Sequence, residues 1–198
     1  MSRVSKLAAV VVILGAAFVW YEVLRPCCGA RVTPSAVEAA LAPRFRSLSI
    51  PSTDRDRKNP FTSSPALLKE ASEHFADHCA TCHGNDGRGH TEMGPNFYPP
   101  VPDMRLDSTQ RLTDGELYSI IHNGVRYTGM PAWGDAQHDE DSWKLALFIH
   151  HLPQQSPDEV KEMQRFNPRS PAEIEEDKAE QDFLNGPAKQ NEAPKHQH

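Results

Sequence analysis

The chain is predicted to be all-α: a small helical domain behind an N-terminal transmembrane helix. Three observations carry that expectation. Leu7 to Leu24 reads LAAVVVILGAAFVWYEVL, an apolar run of 18 residues with one acid, Glu22. Ala66 to His78 places Leu67, Leu68, Ala71 and Phe75 on one face at helical spacing. Two further stretches, opening at Thr113 and at Asp139, show helix start signals followed by apolar residues at helical intervals. No alternation of strand-like and helix-like segments is visible.

Composition narrows the function classes. Hydrophobic residues make up 38% of 198, and there are 17 prolines. A compact domain averages about 45–50% apolar residues, so a good part of this chain lies outside any core. The net charge of −6 argues against a nucleic-acid binder, which would show a basic face. Four cysteines are too few for a disulfide-stapled miniprotein. Charge divides the chain into an N-terminal anchor at 1–26 (net +2), a basic Pro-rich linker at 27–65 (+3), an acidic body at 66–155 (−7) and an acidic tail at 156–198 (−4).

The N-terminal run as a helix spans about 27 Å, close to a hydrocarbon core of about 30 Å. Arg3 and Lys6 precede it, which keeps the start in the cytoplasm and sends the body to the extracytoplasmic, periplasmic side. Trp20 and Tyr21 fall where an interfacial belt lies. An uncleaved signal-anchor, held in membrane lipid through residues 7–24, is the expectation. A cleaved signal peptide and a buried soluble helix are the alternatives. Arg25 and Pro26 stand before Cys27 and Cys28 where an acylated lipoprotein would have small residues. Residues 29–65 carry five prolines among polar residues, with little to bury and a short helix around Ser35–Ala42. In the tail, Ser170-Pro171 and Glu173 mark a helix start and Gly186-Pro187 a stop, with disorder expected beyond.

The chemistry sits at Cys79-Ala80-Thr81-Cys82-His83, the C-x-x-C-H spacing of covalent c-type haem attachment. Two thiols two residues apart at a helix end reach the two vinyl groups on one porphyrin edge, and the next residue sets an imidazole on the iron. A zinc site would need a further Cys or His pair, and a thioredoxin-like pair would follow a strand. A structural disulfide would leave His83 unexplained. The turn-rich Gly84–Gly89 follows, then Gly94-Pro95-Asn96. The Pro95 carbonyl is the candidate acceptor for the second ring nitrogen of His83; a plain turn is the alternative.

Thr113-Asp114-Gly115-Glu116 is a capping box opening a helix that stops at Asn123-Gly124. Beyond it, Tyr127-Thr-Gly-Met130-Pro-Ala-Trp133-Gly frames one methionine on a loop. Met130 is the candidate sixth iron ligand, because a thioether suits low-spin iron and His/Met ligation raises the potential. Met93, Met104 or a histidine (His90, His122, His138, His150 or His151) are the alternatives. Arg126 and Trp133 could each hydrogen-bond a haem propionate; packing or plain exposure is the other reading. Asp139 to Leu152 carries acids in its first turn and a broad apolar stripe, ended by Pro153, and should pack across the 66–78 helix.

CATCHGNDGRG, GPNF, GVRYTGMPAWG and the last Trp-containing helix resemble class I c-type cytochromes over residues 66–153. The resemblance implies an all-α haem domain of three to five helices that carries single electrons on one haem c. On this chain it makes Cys79 and Cys82 the thioether sites, His83 the proximal ligand, Met130 the distal ligand and Pro95 the residue orienting His83. One departure is Ala71, where members often have Gly at the helix crossing. The anchor and linker resemble membrane-tethered members serving respiratory complexes.

The expected function is thus a membrane-anchored electron carrier with both axial positions filled and redox proteins, not nucleic acid, as partners. An acidic body suits a partner with a basic face. The rival readings are an enzyme (a peroxidase, or a haem-bearing subunit of an oxidase or dehydrogenase), which for reactivity of its own needs an open sixth position, and a sensor working by exchange at Met130.

Overall fold

Side-chain caps at Ser35, Ser64, Thr113, Ser156 and Ser170 start five of the helices. The structure, a computed structural model, describes residues 3–24, 29–134 and 139–185, and among these every regular element is helical, as expected. Cys27, Cys28, His138, Gly186-Pro187 and the end of the tail lie outside the described residues. The chain forms two units, residues 1–167 and 168–198.

Helix α1 (Arg3–Val19) runs into a wider turn at Trp20–Leu24. The stretch Arg3–Glu22 has a mean hydropathy of 2.0 and none of it is buried, so it is long and apolar enough to cross a membrane.

The segment read as a linker is more ordered than its composition suggests. Ser35 caps α2 (Ala36–Ser49), which continues through Pro43 well beyond the expected end at Ala42. It delivers Ile50 to a buried position. Helix α3 (Ser52–Arg55) then lies against α7 (Asp114–Asn123). The approach is backbone to backbone: a Cβ on Gly115 would collide with the Asp54 carbonyl. Thr113 Oγ1 donates to the Arg55 carbonyl at 2.9 Å, and Arg55 Nε stands 3.3 Å from Glu116 Oε1. The pair is half in solvent on the Arg55 side, so its contribution is modest beside the backbone fit. These contacts depend on residues some 60 positions apart, which is why Pro-rich composition hides them.

Helix α4 (Pro65–His78) takes in Pro65 ahead of the expected Ala66, with Ser64 Oγ accepting from the Leu67 N–H and Pro65 in the first turn. It packs across α8 (Asp139–His151), the crossing expected from the two apolar stripes. Phe75 and Phe148 meet there with centroids 5.2 Å apart and tilted planes. Ala71 is 1% exposed in the same core as Leu145 and Ala146, so the crossing closes on a methyl group without needing Gly. Lys144 Nζ reaches Glu70 at 2.7 Å along its rim. Between α4 and α7 come the short α5 (Ala80–His83) and α6 (Asp107–Gln110). Gln110 Nε2 ties that connection to α8 by donating to the Ile149 carbonyl at 2.9 Å.

The body also runs past the boundary expected at residue 155. Ser156 and Glu159 form a capping box for α9 (Pro157–Met163), and Met163, 2% exposed, belongs to the core. Its sulfur accepts from Gln155 Nε2 at 2.9 Å. The polar average of the tail masked this short amphipathic piece. Ser156 donors hold the Glu159 carboxyl below its ordinary value. A depressed carboxyl stabilises the fold above its unfolded pKa and loses that contribution as pH falls through its folded pKa. Glu159→Gln should therefore flatten the acid limb of a stability-versus-pH curve.

The second unit holds α10 (Pro171–Asn185), started by Ser170 and Glu173 as expected. Its Phe183 is exposed. Guanidinium unfolding should separate the two kinds of position. Met163→Ala is expected to cost about 2–3 kcal/mol, and Phe183→Ala within about 0.5 kcal/mol of nothing.

Candidate haem site

Cys79 closes α4, its N–H donating to the Phe75 carbonyl at 2.8 Å, and the chain turns at once into α5. The Cys82 and His83 N–H groups both return to the Cys79 carbonyl, at 3.2 and 3.0 Å. Gly84 ends the turn at φ +72°, a conformation that a side chain would strain. The two thiols and the imidazole are thus held on consecutive turns by backbone bonds alone. Neither cysteine is in a disulfide. Burial, with the neighbouring Cys82 adding, pushes the Cys79 thiol up to about 12, and burial raises Cys82 too. Burial lowers His83 to about 4, so its ring is neutral at physiological pH. Its Nδ1 is buried and makes no hydrogen bond. Two protonated thiols beside a neutral, underused imidazole are a poor structural end in themselves and fit the attachment of a haem.

The following loop is sewn to the motif through backbone groups. Gly89 N–H donates to the His83 carbonyl at 2.7 Å, and Thr91 Oγ1 donates to the Cys82 carbonyl at 3.1 Å while accepting from Gly94 N–H at 2.9 Å. Gly94–Asn96 is a single tight turn. The His83 Nδ1, expected to donate to the Pro95 carbonyl, has no hydrogen-bond partner.

The Met130 loop folds back on the end of α7. Val125 N–H donates to the Met130 carbonyl at 3.1 Å, and Thr128 Oγ1 accepts from Met130 N–H at 3.0 Å. Trp133 and Gly134 N–H groups return to the Ile121 and His122 carbonyls at 3.1 and 3.0 Å. One contact brings this loop beside the motif and another sets it on the Gly94–Phe97 stretch. Trp133 meets His78, the residue before Cys79, edge to face at 5.7 Å, and a Cβ on Gly129 would strike the Phe97 ring. Neither His78 nor Phe97 was singled out from sequence; Phe97 lay inside the quoted GPNF, and His78 carried no signal beyond its place beside Cys79.

Most other ligand candidates among the described residues are occupied elsewhere, and two are exposed. Met104 and Met163 are core residues, and Met93 is 45% exposed. His150 and His151 face Asp114 and Glu159 at 3.1 and 3.5 Å. His122 stacks on Tyr118 with centroids 5.1 Å apart, and His90 is exposed. Arg126 is exposed, its guanidinium 5.9 Å from the Tyr127 ring, so the structure brings it to solvent and not to the motif.

An all-helical body with C-x-x-C-H at a helix junction and a methionine loop against it defines a class I c-type cytochrome domain, a class that carries haem c. Residues 66–149 match the family model described as cytochrome c oxidase, cbb3-type, subunit III. The domain is similar to the cbb3-type cytochrome c oxidase subunit FixP of Rhizobium meliloti (strain 1021), with 36% identity over 91 residues, 46% of this chain and 29% of that protein. It is also similar to subunit CcoP of Cereibacter sphaeroides, with 34% identity over 88 residues, 44% of this chain and 28% of that one. The chain therefore spans less than a third of the length of these relatives.

Proposed function

We propose that this chain is a membrane-anchored, single-haem electron carrier of a respiratory chain, acting as a subunit of, or donor to, a terminal oxidase of the cbb3 type. Cys79 and Cys82 hold the haem by thioethers, His83 is the proximal ligand and Met130 the distal one. The haem supplies a one-electron iron couple. The protein's part is to hold that iron between two fixed ligands, so that little has to move when an electron comes or goes. The observation that carries the reading is the junction of α4 and α5, where two cysteines outside any disulfide and an imidazole with a buried, unpartnered Nδ1 share consecutive turns. The apolar Arg3–Glu22 helix anchors the protein, and Arg3 and Lys6 keep its start in the cytoplasm, which sets the haem domain on the periplasmic side. Similarity to oxidase subunits favours the subunit reading over a peroxidase.

Intact mass of the purified protein tests attachment and stoichiometry: one haem mass is expected. Carbon monoxide tests the closed site. The reduced protein should keep its spectrum under the gas, whereas a carbon monoxide adduct would favour an enzyme with an open sixth position.

A further inference from the structure

Residues 50–61 precede the family-matched segment, yet one of their side chains starts a column of contacts that ends on the Met130 loop. The Arg57 guanidinium carbon stands 4.6 Å from the Tyr118 ring centroid and 4.9 Å from that of Trp143. Those rings stack on each other at 4.2 Å with planes 15° apart. Tyr118 also stacks on His122. The His122 ring lies so close under Gly134 that a Cβ there has no room, and the His122 carbonyl accepts from Gly134 N–H at 3.0 Å. Gly134 is four residues from Met130. Asn59 Nδ2 pins the Arg57 segment by donating to the Trp143 carbonyl at 2.9 Å.

We propose that Arg57 is a positioning residue for the distal ligand: seated beside the Tyr118–Trp143 stack, it holds the His122 ring against Gly134 and so keeps the Met130 loop closed. This rests on Met130 being the distal ligand. Because the two rings stack on each other, the guanidinium lies beside the stack, where it bridges both rims with its flat group and hydrogen-bonds the Tyr118 side chain. Remove it, and the ring column is free to shift where it supports the hinge at Trp133–Gly134. The loop then opens more often, and the sulfur spends more time off the iron. The chain leading from the membrane helix would in this way bear on the iron's sixth position without touching it.

Imidazole added to the oxidised full-length holoprotein measures this, because it takes the iron only while the sulfur is away. Binding is followed by loss of the sulfur-to-iron absorption band, and global stability is read separately from the helical signal in guanidinium. Arg57→Gln should bind imidazole about fivefold more tightly than the wild type, the scale of one net side-chain hydrogen bond. Arg57→Lys, which keeps the cation and loses the plane, should fall between. Asn59→Ala should move in the same direction, and it decides the matter if Arg57→Gln yields no holoprotein. Wild-type imidazole affinity in both Arg57→Gln and Asn59→Ala overturns the proposal. So does an affinity that rises only in step with lost global stability, with no recovery in Arg57→Lys. A wild-type protein with covalent haem but no sulfur-to-iron band would strike the Met130 assignment itself.

Discussion

Replacing Cys79 and Cys82 together by serine is expected to leave a colourless chain. Serine keeps the size and the helix junction but cannot form a thioether, so the covalent tie is lost entirely and not by degrees. The geometry makes both sulfurs necessary. They leave one backbone turn, tied by the Cys82 and His83 N–H bonds to the Cys79 carbonyl, and each has its own vinyl group to reach. Denaturing electrophoresis with haem staining, together with intact mass, reads the result. Stain that persists in the double variant would exclude thioether attachment at these positions. The fold should loosen as well. The buried His83 Nδ1 already lacks a partner, and Phe75, at 6.4 Å between ring centroids, packs beside that imidazole. A domain built to enclose a large apolar disc loses contacts on several sides when the disc is absent.

Met130→Ala has the second largest expected effect, of a different kind. The covalent ties and His83 stay, so colour and haem mass stay. The sulfur-to-iron absorption disappears, and the reduction potential falls, because the thioether favours the reduced iron. The shift should be on the order of a few tenths of a volt, within the roughly 0.8 V that axial ligands span. Reduced Met130→Ala should also take up carbon monoxide, which the parent should refuse. An unchanged potential and band would move the sixth ligand elsewhere among the methionines and histidines. The structure makes such a move costly. Met104 and Met163 would have to leave the core, and His150 and His151 would have to leave their carboxylates.

The legible features were local ones. Caps, proline at a first turn and the C-x-x-C-H spacing act within one or two helical turns, so Thr113, Ser170 and the Cys79–His83 motif could be placed from neighbours alone. The apolar stripes of α4 and α8 likewise announced their crossing, since a stripe must be covered by another. Ser156-Pro157 and Glu159 were as readable as the other capping boxes, yet the polar average of the tail outweighed them.

Elsewhere, no neighbouring residue carries the information. That Ile50 and Met163 belong to the core and that Arg57 finds two rings more than 60 and 80 positions away both follow from how distant segments are brought together. Backbone contacts as close as Asp54 on Gly115 or Gly134 on His122 leave no sign in composition. Hydrogen-bond reach and apolar spacing are properties of a short stretch of chain, whereas burial and ring stacking belong to pairs of stretches and exist only once the helices have docked.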